Sequence, residues 1–218
     1  MNFIHIRMRC LQHTRIQGQR IQLRENENLS ELFEFYYGIL HVTVVYYDKN
    51  QKRTKERQEG YMQVLYKSTR GKGETVTASM AILKGLSEDG GLFVPTSIPK
   101  LDVPVEKLAQ MTYQETAYEV MSRFLTDFTE EELKNCIANA YDEKFDTTEI
   151  APLHEADGAY YLELFHGSTI AFKDMALSIL PHLMTTAARK NQVKNDIVIL
   201  TATSGDTGKA ALAGFADV

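Results

Sequence analysis

The chain has 218 residues, is 44% hydrophobic and 24% charged, and carries a net charge of −5, which allows a sizeable core in one domain or in a large and a small one. The acidic balance leaves no electrostatic footprint for nucleic acid, and no apolar run approaches the ~18 residues of a membrane span. The two cysteines, Cys10 and Cys136, lie far apart, which argues against a disulfide framework or a zinc site and for a reducing compartment; Met1–Cys10 has arginines but no sustained apolar core of a signal peptide, so the cytoplasm is the default.

Residues 1–61 hold 10 Lys and Arg against 7 Asp and Glu, whereas the remainder is acidic. This first segment reads as a polar stretch (Gln12–Asn28), a helix (Leu29–Leu40), an apolar strand (His41–Tyr47) and a charged run, DKNQKRTKERQEG, with the composition of a linker or solvated tail. The character changes at Met62. Gln63–Tyr66 predicts a short strand and Val76–Leu86 a helix, followed by the Gly- and Pro-rich loop EDGGLFVPTSIPKL. Apolar residues at Ala117, Val120, Met121 and Phe124 predict a helix over Thr112–Leu125. Thr129 and Glu132 form a capping-box pattern opening another, which runs to about Tyr141.

Ala159–Phe165 predicts a strand. Phe172–Lys190 has a helical pattern interrupted by Pro181, which kinks or breaks it. Asp196–Ala202 is a continuous apolar run of the kind that is buried on both faces of a parallel sheet. Gly205-Asp206-Thr207-Gly208 turns into a last helix, Lys209–Ala216, and the strand, helix, strand, helix order predicts a βαβ unit.

Two motifs carry chemistry. In Glu163–Asp174 (ELFHGSTIAFKD) a single lysine, Lys173, stands behind small and hydroxyl residues. A helix starting at about Ile170–Phe172 and capped by Ser168 or Thr169 would set its positive end near the ammonium and favour the free amine, with Asp174 stabilised in the first turn. Read alone, the segment fits an exposed surface lysine at an ordinary loop-to-helix entry better than a reacting amine. In Thr201–Ala211 (TATSGDTGKAA) Ser204, Gly205, Thr207 and Gly208 supply hydroxyl and amide donors at the end of a strand, suited to a carboxylate or phosphate. The spacing is that of neither a P-loop nor a dinucleotide fingerprint; the plain alternative is a tight turn with Asp206 as N-cap. His166 reads as a structural histidine satisfied by backbone before a ligand contact, Phe172 as core with cofactor contact as the alternative, and Arg70 as a surface pairing residue before an anion ligand.

YKSTRG (66–71), ILKGLSEDGGLFVP (82–95), EEELKNCIANAYDEKFDTTEIAPL (130–153), ELFHGSTIAFKDMAL (163–177) and TATSGDTGKAAL (201–212) occur in order. Together they resemble threonine synthase, a pyridoxal-phosphate enzyme of fold type II, over nearly everything after Met62. Ser168 departs from the proline that many members carry. The resemblance implies an α/β fold related to the tryptophan synthase β chain: 62–150 a small α+β N-terminal domain, 151–218 the start of the catalytic domain with an incomplete open parallel sheet. It implies O-phospho-L-homoserine and water as substrates, L-threonine and phosphate as products, and a carbon–oxygen lyase acting on phosphates. It makes Lys173 the catalytic and Schiff-base lysine, and places Ser204, Gly205, Asp206, Thr207 and Gly208 around the substrate carboxylate and the cofactor face. No metal, nucleic acid or membrane partner is implied, and no oligomeric state.

Family members are much longer. The cofactor-phosphate loop and the group facing the pyridine nitrogen are missing from this chain, so the 218 residues alone are expected to bind the cofactor poorly and to lack turnover, on a sheet with an unpaired edge. Residues 1–61 have no counterpart in the resemblance. Codons for Gln58-Glu59-Gly60 can spell a ribosome-binding site ahead of Met62, which makes 1–61 a translated leader; the rival is a partner-binding arm. The alternative functions are a related phospho-lyase that forms no threonine, and a non-catalytic interaction module.

Overall fold

The computed structural model describes residues 6–10 and 41–45, as backbone, and 63–203, 205–216 and 218. The expected Leu29–Leu40 helix, the charged run before Gly60 and Met62 lie outside them. In chain order the elements are β1 (Ile6–Cys10), β2 (His41–Val45), β3 (Tyr66–Ser68), α1 (Ala78–Lys84), β4 (Phe93–Pro95), α2 (Val105–Leu108), α3 (Tyr113–Phe124), α4 (Glu130–Ala140), β5 (Leu153–Ala156), β6 (Ala159–Leu162), α5 (Asp174–Leu177), α6 (Leu180–Lys190), β7 (Ile197–Ala202) and α7 (Asp206–Phe215). Helix and strand are mixed, and among the described residues no helix is long and apolar enough to cross a membrane.

The helices start where the sequence supplies acceptors for their orphan amides. Thr112 and Thr129 each close a capping box, with Glu115 and Glu132, which satisfies two donors reciprocally. Thr77 caps α1, and the Asp127 carboxylate also accepts the Ser79 N–H. The helical pattern of Phe172–Lys190 is divided. α5 ends at Leu177, and Pro181 enters the first turn of α6, where its missing N–H costs nothing.

The core forms where α6 meets α1 and α4. Leu83, Leu133, Ile137, Met184, Ala187 and Ala188 are buried in one cluster with Ile197, Ile199 and Phe215, so a single apolar core joins residues on both sides of position 150. Each fully buried Leu, Ile or Phe there contributes about 1.5–3 kcal/mol. Polar ties fix the register of the helices: Lys190 pairs with Glu132 at 2.8 Å, and Asn191 donates to Ser79 Oγ at 3.0 Å. Cys136 is buried and free, and burial pushes its thiol up from the ordinary range.

The sheet differs from the expected βαβ unit. β6 does not join β7. It pairs antiparallel with β5 across Asp157 and Gly158, both at positive φ, the requirement of a two-residue type I′ hairpin. β7 lies at the centre of a three-stranded sheet in the order β1-β7-β2. β1 runs parallel to it from Ile6↔Ile197 to Cys10↔Thr201, and β2 antiparallel from His41↔Ala202 to Val45↔Val198. β7 is therefore paired on both sides, and the outer strands of this three-stranded sheet are β1 and β2. Its burial is also one-sided rather than equal: Ile197, Ile199 and Thr201 are buried, Val198 and Leu200 half-buried.

Because both ladders on β7 come from residues before Met62, deleting residues 1–61 will leave its N–H and C=O groups open on two edges. Hydrogen exchange is the check: amides of Ile197–Ala202 are expected to exchange at least ~10-fold faster in the shortened chain, those of α4 far less affected.

Candidate active site

The turn before Lys173 is built on a buried carboxylate. Asp174 is only 2% exposed; its Oδ2 accepts the Thr169 N–H at 2.7 Å and its Oδ1 the Thr169 hydroxyl at 2.6 Å. Gly167 lies against it so closely that a Cβ there would stand 2.5 Å from Asp174 Cβ and 2.6 Å from Oδ2. Within this clamp Ile170 adopts φ 64°, a strained conformation for a β-branched residue, and its side chain is 72% exposed. Thr169 thus acts opposite to expectation: it donates to Asp174 instead of capping a helix. α5 is one turn, with Lys173 at its N-cap position and no side-chain cap, so too little helix exists for the expected dipole effect on the ammonium.

Lys173 is half-buried. Its carbonyl accepts from Ala176 and Leu177 N–H, which fixes its backbone from the helix side. Its Nζ lies 4.1 Å from the centroid of the Phe172 ring, a cation–π distance; among the described residues the ammonium makes no ion pair. Phe172 is 63% exposed and is not the core residue its apolar character predicts, because the clamp turns Asp174 inward and leaves the ring outside.

In the second motif Gly205 occupies the N-cap position of α7 at φ 147°, a conformation open to glycine alone among common residues. The expected Asp206 cap is replaced by Thr203, whose Oγ1 accepts the N–H of Gly205 at 3.2 Å and of Gly208 at 2.9 Å. A Cβ on Gly208 would lie 2.9 Å from that same Oγ1. Two of the amides credited to an anion are thereby taken. Of the first-turn N–H groups that α7 leaves without an intrahelical partner, those of Asp206 and Thr207 remain. Thr207 is buried and Asp206 exposed. Ser204 lies outside the described residues.

The two motifs are joined by packing of α5 on α7. Leu177 is buried with Ala210 and Ala211, and Gly214 brings α7 so near that a Cβ would meet the Leu177 carbonyl oxygen at 2.2 Å. The Tyr141 hydroxyl donates to the Met175 carbonyl at 2.8 Å, tying α5 to the end of α4. His166, before the clamp, is held by two carboxylates and not by backbone: Nε2 lies 2.9 Å from Glu163 Oε2 and Nδ1 2.5 Å from Asp146 Oδ1. These neighbours, Glu163 first, hold its imidazole above the ordinary value. Arg70 donates from Nη1 to the Asp89 carbonyl. Asp89 itself is held down to about 2, chiefly by the Ser68 hydroxyl at 2.6 Å.

Gly167 and Thr203 are supports that the sequence pattern did not single out, and it marks Thr169 only as a cap. The only signal for them was proximity to Lys173 and to the glycine loop.

Residues 65–141 match the family model described as "Threonine synthase N terminus". The threonine synthase of Schizosaccharomyces pombe is 41% identical over 163 residues, which are 70% of this chain and 32% of that protein. Among solved structures, PLP-bound threonine synthase from Brucella melitensis superposes with a TM-score of 0.60 at 31% identity over 70% of this chain and 33% of that one. Yeast threonine synthase gives 0.60 at 32% identity, over 69% and 33%. The chain spans about a third of the length of each of these relatives.

Two outcomes follow from this geometry. Gly214→Ala will drive a methyl into the Leu177 carbonyl and destabilise the protein by about 1–3 kcal/mol, read as a lower urea midpoint with an unchanged slope. His166 will titrate above about 6.5, and Glu163→Gln will move its NMR midpoint downward. Since folding raises this pKa, the stabilisation is complete below the unfolded value and is lost as pH rises through the folded one. The stability gap between wild type and His166→Asn therefore narrows from acidic to alkaline pH.

Proposed function

We propose, from the premise that this chain carries the N-terminal portion of the threonine synthase family, that it supplies the amine-bearing part of a catalytic site converting O-phospho-L-homoserine and water to L-threonine and phosphate. The observation that carries the proposal is Lys173: an amine that no carboxylate pairs among the described residues, on a turn pinned by Asp174, with its helix packed on the one that follows the glycine loop.

These residues fit pyridoxal phosphate at its aldehyde end. Imine formation needs an amine free of a counter-ion, and Lys173 offers one beside an exposed aromatic ring. A Cβ built on Gly205 meets nothing within 4 Å, so the loop backbone there is approachable. Lys173 would hold the cofactor, and Ser204, Gly205, Asp206, Thr207 and Gly208 would border it. When bound, pyridoxal phosphate supplies an electron sink for charge left on substrate carbons. The Nζ of Lys173 takes protons from those carbons and returns them, as a general base and then acid. The amides of Asp206 and Thr207 bind the substrate carboxylate; the exposed Asp206 side chain would repel it, so the backbone is the binding group. The Cγ–O bond to phosphate breaks and water oxygen adds at Cβ, which accounts for both products.

The exposed apolar side chains beside Lys173, Phe165, Ile170 and Phe172, and those of the hairpin, Leu153, Tyr160, Tyr161 and Leu162, fit a surface that the other two thirds of a family fold covers.

The test is a chimera in which residues 63–218 replace the matching part of S. pombe threonine synthase, supplied with O-phosphohomoserine. Threonine and phosphate are expected in equal amounts, and Lys173→Ala is expected to lower turnover at least ~1000-fold. Phosphate release without threonine would replace this reading with the phospho-lyase alternative; full activity in Lys173→Ala would remove the lysine from its role.

A further inference from the structure

We propose that Asp174 is a positioning residue, whose carboxylate aims the Lys173 amine by clamping Thr169. The inference rests on the reading of Lys173 as the reacting amine. It goes beyond it by assigning a task to its neighbour.

Three observations converge. Asp174 is almost completely buried, and both its oxygens are taken by one residue, Thr169, through N–H and Oγ–H. Among the described residues no cation pairs with it. Burying a carboxylate without a cation is costly, whereas a surface helix entry could be capped by an exposed hydroxyl at no such cost. The clamp also requires Gly167, where any side chain would overlap Asp174, and it coexists with a left-handed Ile170 that faces solvent. A buried charge, a required glycine and a strained exposed isoleucine lie within eight residues, with Lys173 next to the charge. Strain of this kind persists only where the surroundings over-determine the backbone.

The consequence falls on Lys173. Its backbone is fixed on one side by the Asp174 clamp and on the other by its carbonyl, which accepts from Ala176 and Leu177. Only its side-chain torsions are free, and the Phe172 ring biases those by holding Nζ at 4.1 Å. Loosening the clamp would let the Gly167–Phe172 turn rotate, carry Phe172 away, and release the amine from its direction while leaving the α1/α4/α6 core untouched.

The direction of the side chain can be read without any cofactor. In the 218-residue chain with lysines reductively ¹³C-methylated, the Lys173 methyl signal, assigned with Lys173→Arg, is expected to be displaced upfield by the Phe172 ring current. Thr169→Val removes the hydroxyl and keeps the shape; it should return that signal to the position of the solvent-exposed lysines, and Thr169→Ser should restore the displacement. Asp174→Asn should behave as Thr169→Val does. An unmoved Lys173 signal in folded Thr169→Val overturns the proposal, even where Asp174→Asn fails to fold. A second arm treats the unmethylated S. pombe chimera, with and without Thr169→Val, with pyridoxal phosphate and borohydride and maps the label by mass spectrometry. The share on Lys173 is expected to fall at least ~5-fold in Thr169→Val. If the methyl signal moves but Lys173 is not preferred for labelling in the wild-type chimera, the clamp stands as a positioning device and the reading of Lys173 as the cofactor amine falls.

Discussion

The contact on which the rest of this structure depends is the burial of α6 against α1 and α4. Ala187 and Ala188 are wholly inaccessible, and their small side chains let two helices approach α6 closely while Leu183 and Met184 fill the space between. α6 then serves as a post. Its first turn, stiffened by Pro181, receives the single turn of α5, and its C-terminal Asn191 is tied to α1. Beyond Val193 the chain enters β7 and then α7, which returns to lie on α5. Both chemistry-bearing motifs are thus held at the ends of short elements attached to one well-packed helix. Loops on a rigid scaffold are where binding groups are placed with accuracy.

Against that scaffold the two motifs solve different problems. The glycine loop uses Thr203 to absorb two amides, which fixes the turn and leaves the Asp206 and Thr207 N–H groups without an intrahelical partner. The lysine turn uses a buried acid to absorb one residue's two donors, which fixes the segment before the helix. In both, a threonine does the local work, and the residue with the apparent function sits beside it. Removing the hydroxyl from either would leave the motif's conspicuous residues in place and their geometry unset.

Much of this was legible in the sequence, for physical reasons. The Thr129/Glu132 capping box is read directly because the two stand three apart and local hydrogen bonding decides a helix start; the same spacing in Thr112/Glu115 carried the same signal, although that helix was legible from its apolar period alone. Pro181 marked the division of α5 from α6 because a proline without an N–H fits the first turn of a helix and not its interior. What failed was non-local. The βαβ reading assumed that consecutive strands share a sheet; yet β6 is claimed by β5 through the Asp157-Gly158 turn, a local signal that was present and unread. The partners of β7 lie more than 150 residues away in sequence, beyond any periodicity. Thr169 was read as a cap because hydroxyls before helices usually accept; here the carboxylate five residues on is the stronger acceptor, and the hydroxyl's role inverts. Phe172 was placed in the core on hydrophobicity, although its neighbour's burial determines which of the two faces inward.

Lys173 read alone is more consistent with a solvated surface lysine than with a reacting amine. The geometry shifts the balance through its surroundings. A surface lysine needs no buried acid at the next position, no glycine packed to 2.5 Å against that acid, and no isoleucine held at positive φ. It would also commonly find a carboxylate, as Lys84, Lys134 and Lys144 do with Glu88, Glu130 and Asp142. Lys173 instead rests on an aromatic face, which holds a cation weakly and lets it go at about 0.5–1 kcal/mol when exposed. An amine that must exchange partners during a reaction is better served by such a rest than by an ion pair, since a carboxylate would compete with every later partner for the same nitrogen.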